Sequence, residues 1–355
     1  MGEQITIRDI AKMCGVGVST VSRAINNHPD INEETRQLIL NTIKKSGYVP
    51  NNSARNLKRT ESQTIAVLVK GINNPFFSDI IRIIEKKIVA GGYSFLLQQV
   101  EEREDEIETA VSLEKEKRLK GVIFLGGIYT HPDRDFNKLT VPFVVSTVDV
   151  TIPESMKNGA AVSIDDMAES KAMTQYLLGR GYRRIALLAA PVDDESIGKC
   201  RLAGYLSALR AAGADPDEQL ILHMPSDMQT YSVEVGYRMT KQLIASGADF
   251  DCVFAISDTM AVGACRALYE AGIKVPDDCG VAGFDGIDIG QYYCPSISTI
   301  QQPRDEIAER TVELLFEQLA GTDSKKLVKK AIFPAKLVAR ESTGKLVRGM
   351  KTQKD

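Results

Sequence analysis

The sequence predicts an α/β protein in which a small all-α head precedes two doubly wound parallel-sheet lobes. The chain has 355 residues, which is enough for roughly two to three domains of ordinary size. Residues 1–60 contain nine Lys/Arg against five Asp/Glu, a net charge of +4, whereas the remainder contains 35 against 42, a net charge of −7. From Thr64 onward, short β-branched runs alternate with helical patterns, which is typical of parallel βαβ units.

The composition excludes several classes of protein. Hydrophobic residues make up 43% and charged residues 26%, close to the averages for soluble globular chains, so a disordered or fibrous protein is not expected. The apolar runs fall far short of the ~20 residues that cross a bilayer. The first twenty residues mix Glu3, Arg8, Asp9 and Lys12 into apolar positions, unlike a secretory signal. We therefore expect a cytoplasmic protein without a membrane partner.

Cysteine and histidine spacing predicts neither a metal site nor a disulfide framework. The six cysteines form no C-x-x-C pair, and His28, His131 and His223 lie far apart. The sequence also lacks the G-x-G-x-x-G, P-loop and G-x-S-x-G motifs, so we expect no cofactor and no catalytic activity. The nearest acid pair, Asp165 and Asp166, consists of adjacent residues whose side chains point in different directions.

The head begins with a predicted helix and a tight turn. Thr6 and Asp9 have the spacing of a reciprocal cap, and the apolar period continues to about Met13. Gly15 can adopt the positive φ of a turn, and Val16 then points back into a small core. This pattern predicts the first half of a helix-turn-helix.

Two further helices complete the head. The second begins near Gly17 and turns Val21 and either Ala24 or Ile25 inward. Its outward face is small, polar and basic, and comprises Val18, Ser19, Ser22, Arg23 and Asn26. The third is predicted from Glu33 to Lys45, with Asn32 as its cap. The residues expected on its apolar stripe are Ile39, Leu40 and Ile43, and Gly47 is expected to end it.

The string TIRDIAKMCGVGVSTVSRAIN over 6–26, followed by GYVPN over 47–51 and ARNL over 54–57, resembles the lactose-repressor (LacI/GalR) family of bacterial transcription factors. The resemblance implies a second helix in the major groove of double-stranded operator DNA, with Val18, Ser19 and Arg23 reading bases. Arg23 can pair bidentately with guanine. The positions implied to contact DNA are Thr6, Ile7, Arg8, Gly17, Val18, Ser19, Ser22, Arg23, Asn26, Thr35, Tyr48, Asn51, Ala54, Arg55, Leu57 and Lys58.

The resemblance also implies a hinge helix over 51–60 that inserts Leu57 into the minor groove and kinks the DNA. Gly17 departs from the family, where a Ser cap is usual; glycine is a tolerable cap, but one hydroxyl contact to phosphate is lost. The alternative for Leu57 is a core or linker residue. The alternative for Arg55 and Lys58 is a solvated basic face rather than a phosphate grip.

The body contains eight predicted strands. They are Ile65–Val69, Ser94–Gln98, Gly121–Leu125, Phe143–Ser146, Ile185–Ala189, Gln219–His223, Cys252–Ile256 and Gly280–Gly283. About 290 residues are more than one doubly wound sheet needs, so two lobes are expected, with a ligand between them at the carboxyl ends of the strands. The predicted domains are the helix-turn-helix over 1–50, a hinge over 51–60, the two-lobed body over 61–343 and a tail over 344–355.

The body resembles the same family, and also periplasmic ribose-binding proteins, through Asn73-Asn-Pro-Phe-Phe77 and Gly283-Phe-Asp-Gly286. The resemblance implies a periplasmic-binding-protein-like fold and a small-molecule effector pocket. The expected pocket residues are Asn74, Phe76, Arg201, Ser257, Phe284, Asp285 and Gln302. We expect Arg201 and Asp285 to face one another across the cleft and to bind ligand hydroxyls. The alternative is an ion pair that only fastens the lobes.

Departures from the family leave the effector open. Relatives often carry an Asp-Arg pair where this chain reads Thr147-Val-Asp149, Ser257 replaces the commoner Asn, and Gly286 replaces a frequent Asp. A sugar, a modified sugar, a sugar phosphate or a nucleoside all remain compatible. We expect a homodimeric repressor whose effector closes two lobes and moves two heads. The alternatives are a solute-binding protein without a regulatory role and a nucleoside-responsive regulator.

Overall fold

The structure is a computed structural model that describes residues 5–25, 28, 30–46, 63–101, 104–129, 135–153, 158–225, 231–321 and 329–344. The chain divides into two compact units, Met1–Ser62 and Gln63–Asp355, called here the head and the body. The helices are α1 Ile7–Cys14, α2 Val18–Ile25, α3 Glu33–Ser46, α4 Phe76–Ala90, α5 Glu106–Lys117, α6 Asp166–Gly179, α7 Ile197–Ala211, α8 Val233–Ala245, α9 Asp258–Glu270, α10 Asp288–Tyr292 and α11 Arg304–Leu319. None of these helices combines the length and the apolar character needed to span a membrane.

The strands are β1 Thr64–Lys70, β2 Ser94–Val100, β3 Gly121–Leu125, β4 Phe143–Ser146, β5 Gly159–Ser163, β6 Ile185–Ala189, β7 Ile221–His223, β8 Cys252–Ala255, β9 Gly280–Ala282, β10 Thr299–Gln301, β11 Lys330–Ile332 and β12 Lys336–Val338. Short 3-10 turns cover Phe136–Lys138, Glu218–Leu220 and Glu341–Thr343.

The head is built from α1, α2 and α3, and its local signals act as the sequence predicts. The Asp9 carboxylate accepts hydrogen bonds from the Thr6 backbone N–H at 2.9 Å and from Thr6 Oγ1 at 2.6 Å. Gly15 ends α1 with φ of 63°. The predicted capping box and the predicted turn are therefore confirmed.

The core of the head confirms one predicted helix face and corrects another. Val21 and Ala24 of α2 are buried, as expected. On α3, Ile39 is buried and Ile43 packs against the core, but Leu40 is 39% exposed, so its predicted place in the apolar stripe is wrong. In so small a core only one row of α3 is covered, and the helical period of 3.6 carries Leu40 away from the row that contains Ile39.

The first lobe of the body contains a six-stranded sheet in the order β11-β5-β4-β3-β1-β2, with every pairing parallel. Helices α4 and α11 pack against one another on this lobe. The second lobe contains a parallel four-stranded sheet in the order β7-β6-β8-β9. Helix pairs α6 with α7 and α8 with α9 pack in this lobe. The predicted architecture of two doubly wound lobes is confirmed.

The chain passes between the lobes at three places in the described residues. The crossings follow β5, β10 and β11, and β10 pairs antiparallel with β12 beside the second lobe. The segment after β9 also bridges to the chain around β10, through Ala282 with Ser298 and Asp285 with Gln301. These crossings place the carboxyl ends of both sheets around one cleft.

All eight predicted strands are present, and four further strands of the described residues were not predicted. The bounds of β3, β4 and β6 agree with the prediction, whereas the segment predicted as Gln219–His223 begins as a 3-10 turn and only its last three residues form β7. The strands without a prediction are β5, β10, β11 and β12. Strand β5 reads GAAVS, in which Gly and Ala disfavour strands, and the other three have only three residues each.

Candidate functional site

A cavity of about 210 Å³ lies between the two lobes. Loops that follow β1, β3 and β4 contribute Asn74, Gly126 and Thr147 from the first lobe. The second lobe contributes Asp194 from the loop after β6 and Asp285 from the loop after β9. The cavity therefore occupies the position at which open parallel sheets bind ligands.

Arg201, the fifth residue of α7, lines the cavity and is only 1% exposed. Its side chain is held in place by several contacts. Its Nε donates to Asp166 Oδ1 at 2.8 Å, and its Nη1 donates to the Ile256 carbonyl at 2.6 Å. Its Nη2 lies 2.8 Å from Asp166 Oδ1 and 3.3 Å from Asp285 Oδ1. The ring of Phe284 lies beneath the guanidinium, 3.7 Å from Cζ. Charge, hydrogen bonds and a cation–π contact together fix this side chain.

Asp285 connects both lobes to this arginine. Its Oδ1 accepts from Gln302 Nε2 at 2.8 Å, and its Oδ2 accepts from Asn74 Nδ2 of the first lobe at 3.5 Å. Burial raises the pKa of Asp285, and the charge of Arg201 opposes that shift. Asp285 is thus a buried carboxylate that faces the cavity with neighbours from both sides.

The expected placement of Arg201 and Asp285 on opposite sides of the cleft is wrong. Both residues belong to the second lobe, and their contact lies within that lobe. For the same reason, their ion pair does not fasten the two lobes together. The contact between lobes runs instead from Asn74 to Asp285, because Asn74 follows β1 of the first lobe.

The structure brings five of the seven predicted pocket residues to the cavity lining: Asn74, Phe76, Arg201, Asp285 and Gln302. The other two lie behind the lining. Phe284 is fully buried under Arg201, and the Ser257 hydroxyl accepts from the Met260 backbone N–H at 3.3 Å to cap α9. Both follow strand ends, but neighbouring residues in such a turn point to different sides, so only some of them reach the cleft.

Several lining residues were not predicted, among them Lys70 and Tyr231. Lys70 is a charged residue at the end of an apolar strand, and its Nζ lies 2.9 Å from Glu106 Oε1 and 2.8 Å from the Glu104 carbonyl. Within the described residues, positive φ occurs at four residues other than glycine, and Thr147, Tyr231 and Asp285 of these line the cavity. Strained backbone of this kind concentrates at binding sites, yet it leaves no mark in the sequence.

Two further acids lie close behind the lining. Burial raises the pKa of Asp166 to about 6, and the charge of Arg201 opposes the shift. Burial, aided by the charge of Asp285, raises the pKa of Asp258 to about 8. Each of these carboxyls responds to a charged neighbour, Asp166 to Arg201 and Asp258 to Asp285.

The head presents the outward face of α2 that the sequence predicts. Val18 is 42% exposed, and Ser19 and Arg23 are also exposed. Arg23 Nη1 lies 3.7 Å from Asp30 Oδ2, and both side chains are more than half exposed. Of the other predicted DNA contacts, Thr6, Arg8 and Gly17 are exposed and Ile7, Ser22 and Thr35 are half-buried. Asn26, Tyr48, Asn51, Ala54, Arg55, Leu57 and Lys58 lie outside the described residues.

A two-lobed ligand-binding body that follows a helix-turn-helix head defines a ligand-controlled DNA-binding protein. Residues 6–51 match "Bacterial regulatory proteins, lacI family", and residues 174–343 match "Periplasmic binding protein-like domain". The chain is 41% identical over 340 residues to the HTH-type transcriptional regulator MalR of Clostridium butyricum, covering 95% of this chain and 99% of that one. The chain belongs to the lacI family of bacterial regulatory proteins, and it is a DNA-binding transcriptional regulator.

Two solved structures share both fold and sequence with the chain. The transcriptional regulator CelR–cellobiose complex is 28% identical with a TM-score of 0.67, covering 95% of this chain and 99% of that one. A LacI family transcriptional regulator from Enterococcus faecium with bound ribose is 28% identical with a TM-score of 0.68, covering 80% and 99%. MalR and both of these proteins are transcriptional regulators.

Proposed function

We propose that this protein is a cytoplasmic repressor that binds a palindromic operator as a homodimer. Its affinity for the operator falls or rises when a neutral, hydroxylated effector occupies the cavity. Its head over 1–50 and hinge over 51–60 contact DNA, and its body over 61–343 binds the effector without catalysing a reaction. The observation that carries the effector part of this proposal is the Asp285 carboxylate, which faces the cavity between Arg201, Gln302 and Asn74.

The charges around the cavity favour a neutral effector over a phosphate or carboxylate. Lys70 and Arg201 are the two cations among the described lining residues, and carboxylates already neutralise both. Asp194 and Asp285 add negative charge to the same lining. An anionic ligand would meet these carboxylates in a site of low dielectric, where repulsion is strong. Hydroxyl groups, in contrast, can donate to Asp285 and accept from an N–H of either cation.

Part of the cavity wall is apolar. Phe76, Ile128, Val148 and Ile197 line it together. A pocket that combines an apolar wall with a few convergent polar groups orients a small ligand. A sugar ring, which has a C–H face and a rim of hydroxyls, fits both parts. The two solved relatives with bound cellobiose and ribose support this class of effector.

Contacts between the lobes provide the means of control. Arg304, at the start of α11 on the first lobe, lies 2.7 Å from Asp79 Oδ2 of α4 and 3.0 Å from Asp288 Oδ1 of α10. The contact with Asp79 lies within the first lobe and orients Arg304, whereas the contact with Asp288 crosses to the second lobe. Together with the contact of Asn74 and Asp285, this crossing stabilises one arrangement of the lobes. A ligand that touches both lobes shifts the population toward the arrangement it binds better, and the affinity for DNA changes with it. A solute-binding protein without a regulatory role would give the head no function.

The proposal is tested with a panel of ribose, cellobiose, maltose, glucose 6-phosphate and cytidine in thermal unfolding. A bound sugar at ~100 times its Kd adds about 2.7 kcal/mol to stability. A duplex recovered by selection from random sequences then reports operator affinity with and without that sugar. Stabilisation by glucose 6-phosphate alone would contradict the neutral effector, and stabilisation by cytidine alone would favour a nucleoside-responsive regulator. An operator affinity that no stabilising compound changes would contradict control through the cavity.

A further inference from the structure

The turn that carries Asp285 holds that residue in a backbone conformation that aspartate disfavours. It runs over 283–287, directly after β9. Asp285 has φ of 105°, a region that side chains other than glycine rarely adopt, and Gly286 follows with φ of 75°. Backbone strain of this kind persists only where surrounding contacts impose it. The contacts around the turn therefore decide where the Asp285 carboxylate points.

Asp258, the first residue of α9, forms hydrogen bonds with two residues of this turn, Phe284 and Ile287. Its backbone N–H donates to the Phe284 carbonyl at 2.7 Å, and its Oδ2 accepts from the Ile287 N–H at 2.8 Å. Asp285 lies between these two anchored residues. From the other side, the Asp285 N–H donates to the Ile300 carbonyl at 2.9 Å.

Asp258 is enclosed by the packing around it. The residue has no exposed surface. A Cβ atom added to Gly283 would lie 2.2 Å from Asp258 Oδ1. The carboxyl group of Asp258 can therefore pack against the turn only because residue 283 has no side chain. Asp258 is absent from the cavity lining, which Asp285 enters. Burial raises the pKa of Asp258 to about 8, so its neutral form can lie beside the charge of Asp285.

We propose that Asp258 is a positioning residue for the effector site: it fixes the turn over 283–287 so that Asp285 faces the cavity, and it contacts no effector itself. This role rests on the proposed function of Asp285. Because the side chain acts as a hydrogen-bond acceptor for Ile287, asparagine can replace it, whereas alanine cannot.

Hydrogen exchange tests the first half of the proposal without any ligand. In the full chain, Asp258→Ala is expected to speed amide exchange in peptides covering 283–287 by at least about tenfold, and Asp258→Asn is expected to restore slow exchange. Asp258→Ser, whose side chain is too short to reach Ile287, serves if the alanine variant does not fold. Unchanged amide exchange over 283–287 in both Asp258→Ala and Asp258→Ser would overturn the proposal.

A matched control comes from the opposite end of the same sheet. Asp251 is also buried, and its carboxylate accepts from the backbone N–H groups of Arg183 and Arg184 at 2.9 Å. Asp251→Ala removes a comparable buried acceptor far from the turn. It is expected to leave exchange over 283–287 unchanged, and faster exchange there would overturn the specific role of Asp258.

Titration calorimetry tests the second half with cellobiose or ribose, whichever stabilises the unmodified chain more. Asp258→Ala is expected to weaken binding at least about tenfold, and to add little further weakening when Asp285 is already Asn, since residues that act as one unit are not additive. Equal weakening in both backgrounds would overturn the positioning role. If Asp285→Asn weakens sugar binding and Asp258→Ala does not, the positioning role of Asp258 is overturned and the proposed function stands. Unchanged affinity in Asp285→Asn would overturn the proposed function as well.

Discussion

Replacing Asp285 with Asn separates two roles that its position allows. The carboxylate faces the cavity, where it can accept hydrogen bonds from an effector, and it also lies 3.3 Å from Arg201 Nη2. Asparagine keeps the size of the side chain and tolerates the positive φ at this position better than most residues. The substitution therefore removes the charge with little disturbance of the turn.

The structure gives the expected magnitude of each effect. Hydrogen bonds to a charged acceptor contribute ~1.5 to 3 kcal/mol, which corresponds to a loss of effector affinity of roughly 10- to 150-fold. The stability of the ligand-free protein should change far less. Arg201 keeps both of its 2.8 Å contacts with Asp166, so the guanidinium retains a partner. Relief of the burial of Asp285 offsets part of the remaining loss.

Asp166→Asn provides the opposite case. Asp166 makes the shorter contacts with Arg201 and is absent from the cavity lining. Removing one partner of a buried pair costs ~3 to 5 kcal/mol, because the other charge remains buried. We expect Asp166→Asn to lower the free energy of unfolding more than Asp285→Asn does, and to weaken effector binding less.

Two measurements on both variants decide the matter. Urea unfolding of the ligand-free protein gives the stability, and titration calorimetry with cellobiose or ribose gives the affinity. If Asp285→Asn destabilises the ligand-free protein as much as Asp166→Asn does while sugar affinity stays unchanged, Asp285 is only a structural partner of Arg201 and the assignment of the effector site is refuted.

Three further predictions concern DNA binding and pH. Arg23→Ala should cost about 1 to 3 kcal/mol on the preferred operator and relax one base position, as measured by anisotropy on operator variants; equal loss on random DNA would indicate a phosphate contact instead. Leu57→Ala should reduce DNA bending while effector binding is preserved, and a circular-permutation gel with an unchanged bend would contradict the minor-groove wedge. Burial raises the pKa of Asp258 from 3.8 to about 8, so its contribution to stability is fully present below about pH 4 and is lost as the pH rises toward 8. The charge of Asp285 adds to this rise in the pKa of Asp258. The urea midpoints at pH 5 and pH 8 should therefore differ less in Asp258→Asn than in the unmodified protein. An equal difference in the two proteins would contradict the raised pKa of this buried acid.

Local sequence predicted the head because its signals act within a few residues. Thr6 and Asp9 cap one helix, Gly15 permits one turn, and each effect needs only neighbours along the chain. Leu40 marks the limit of this reasoning, since periodicity identifies an apolar stripe but not how wide a strip the partner helices cover.

The cavity was predictable in part for a different reason. Asn74, Asp285 and Gln302 lie in the segments after strands, and Phe76 and Arg201 lie in the helices that follow β1 and β6. Parallel strands in an open sheet end at the same edge, so these segments meet there. A list of strand ends therefore approximates a list of lining residues. Ser257 and Phe284 were predicted to line the cavity but do not, because the position of a strand end does not indicate which side chain of the following turn points toward the cleft.

The sequence by itself determined the class of each unit, the positions of the principal strands along the chain and the side of the sheets on which the cavity lies, because periodicity, capping and strand-end position are local or topological properties. Only the tertiary structure decided that Arg201 and Asp285 share a lobe, that Asn74 reaches Asp285 from the other lobe, and that Asp258 lies beneath the turn. Asn74 and Asp285 are 211 positions apart. Contacts at such separations depend on how the chain crosses between lobes and on how buried side chains pack, and no pattern of neighbouring residues records either.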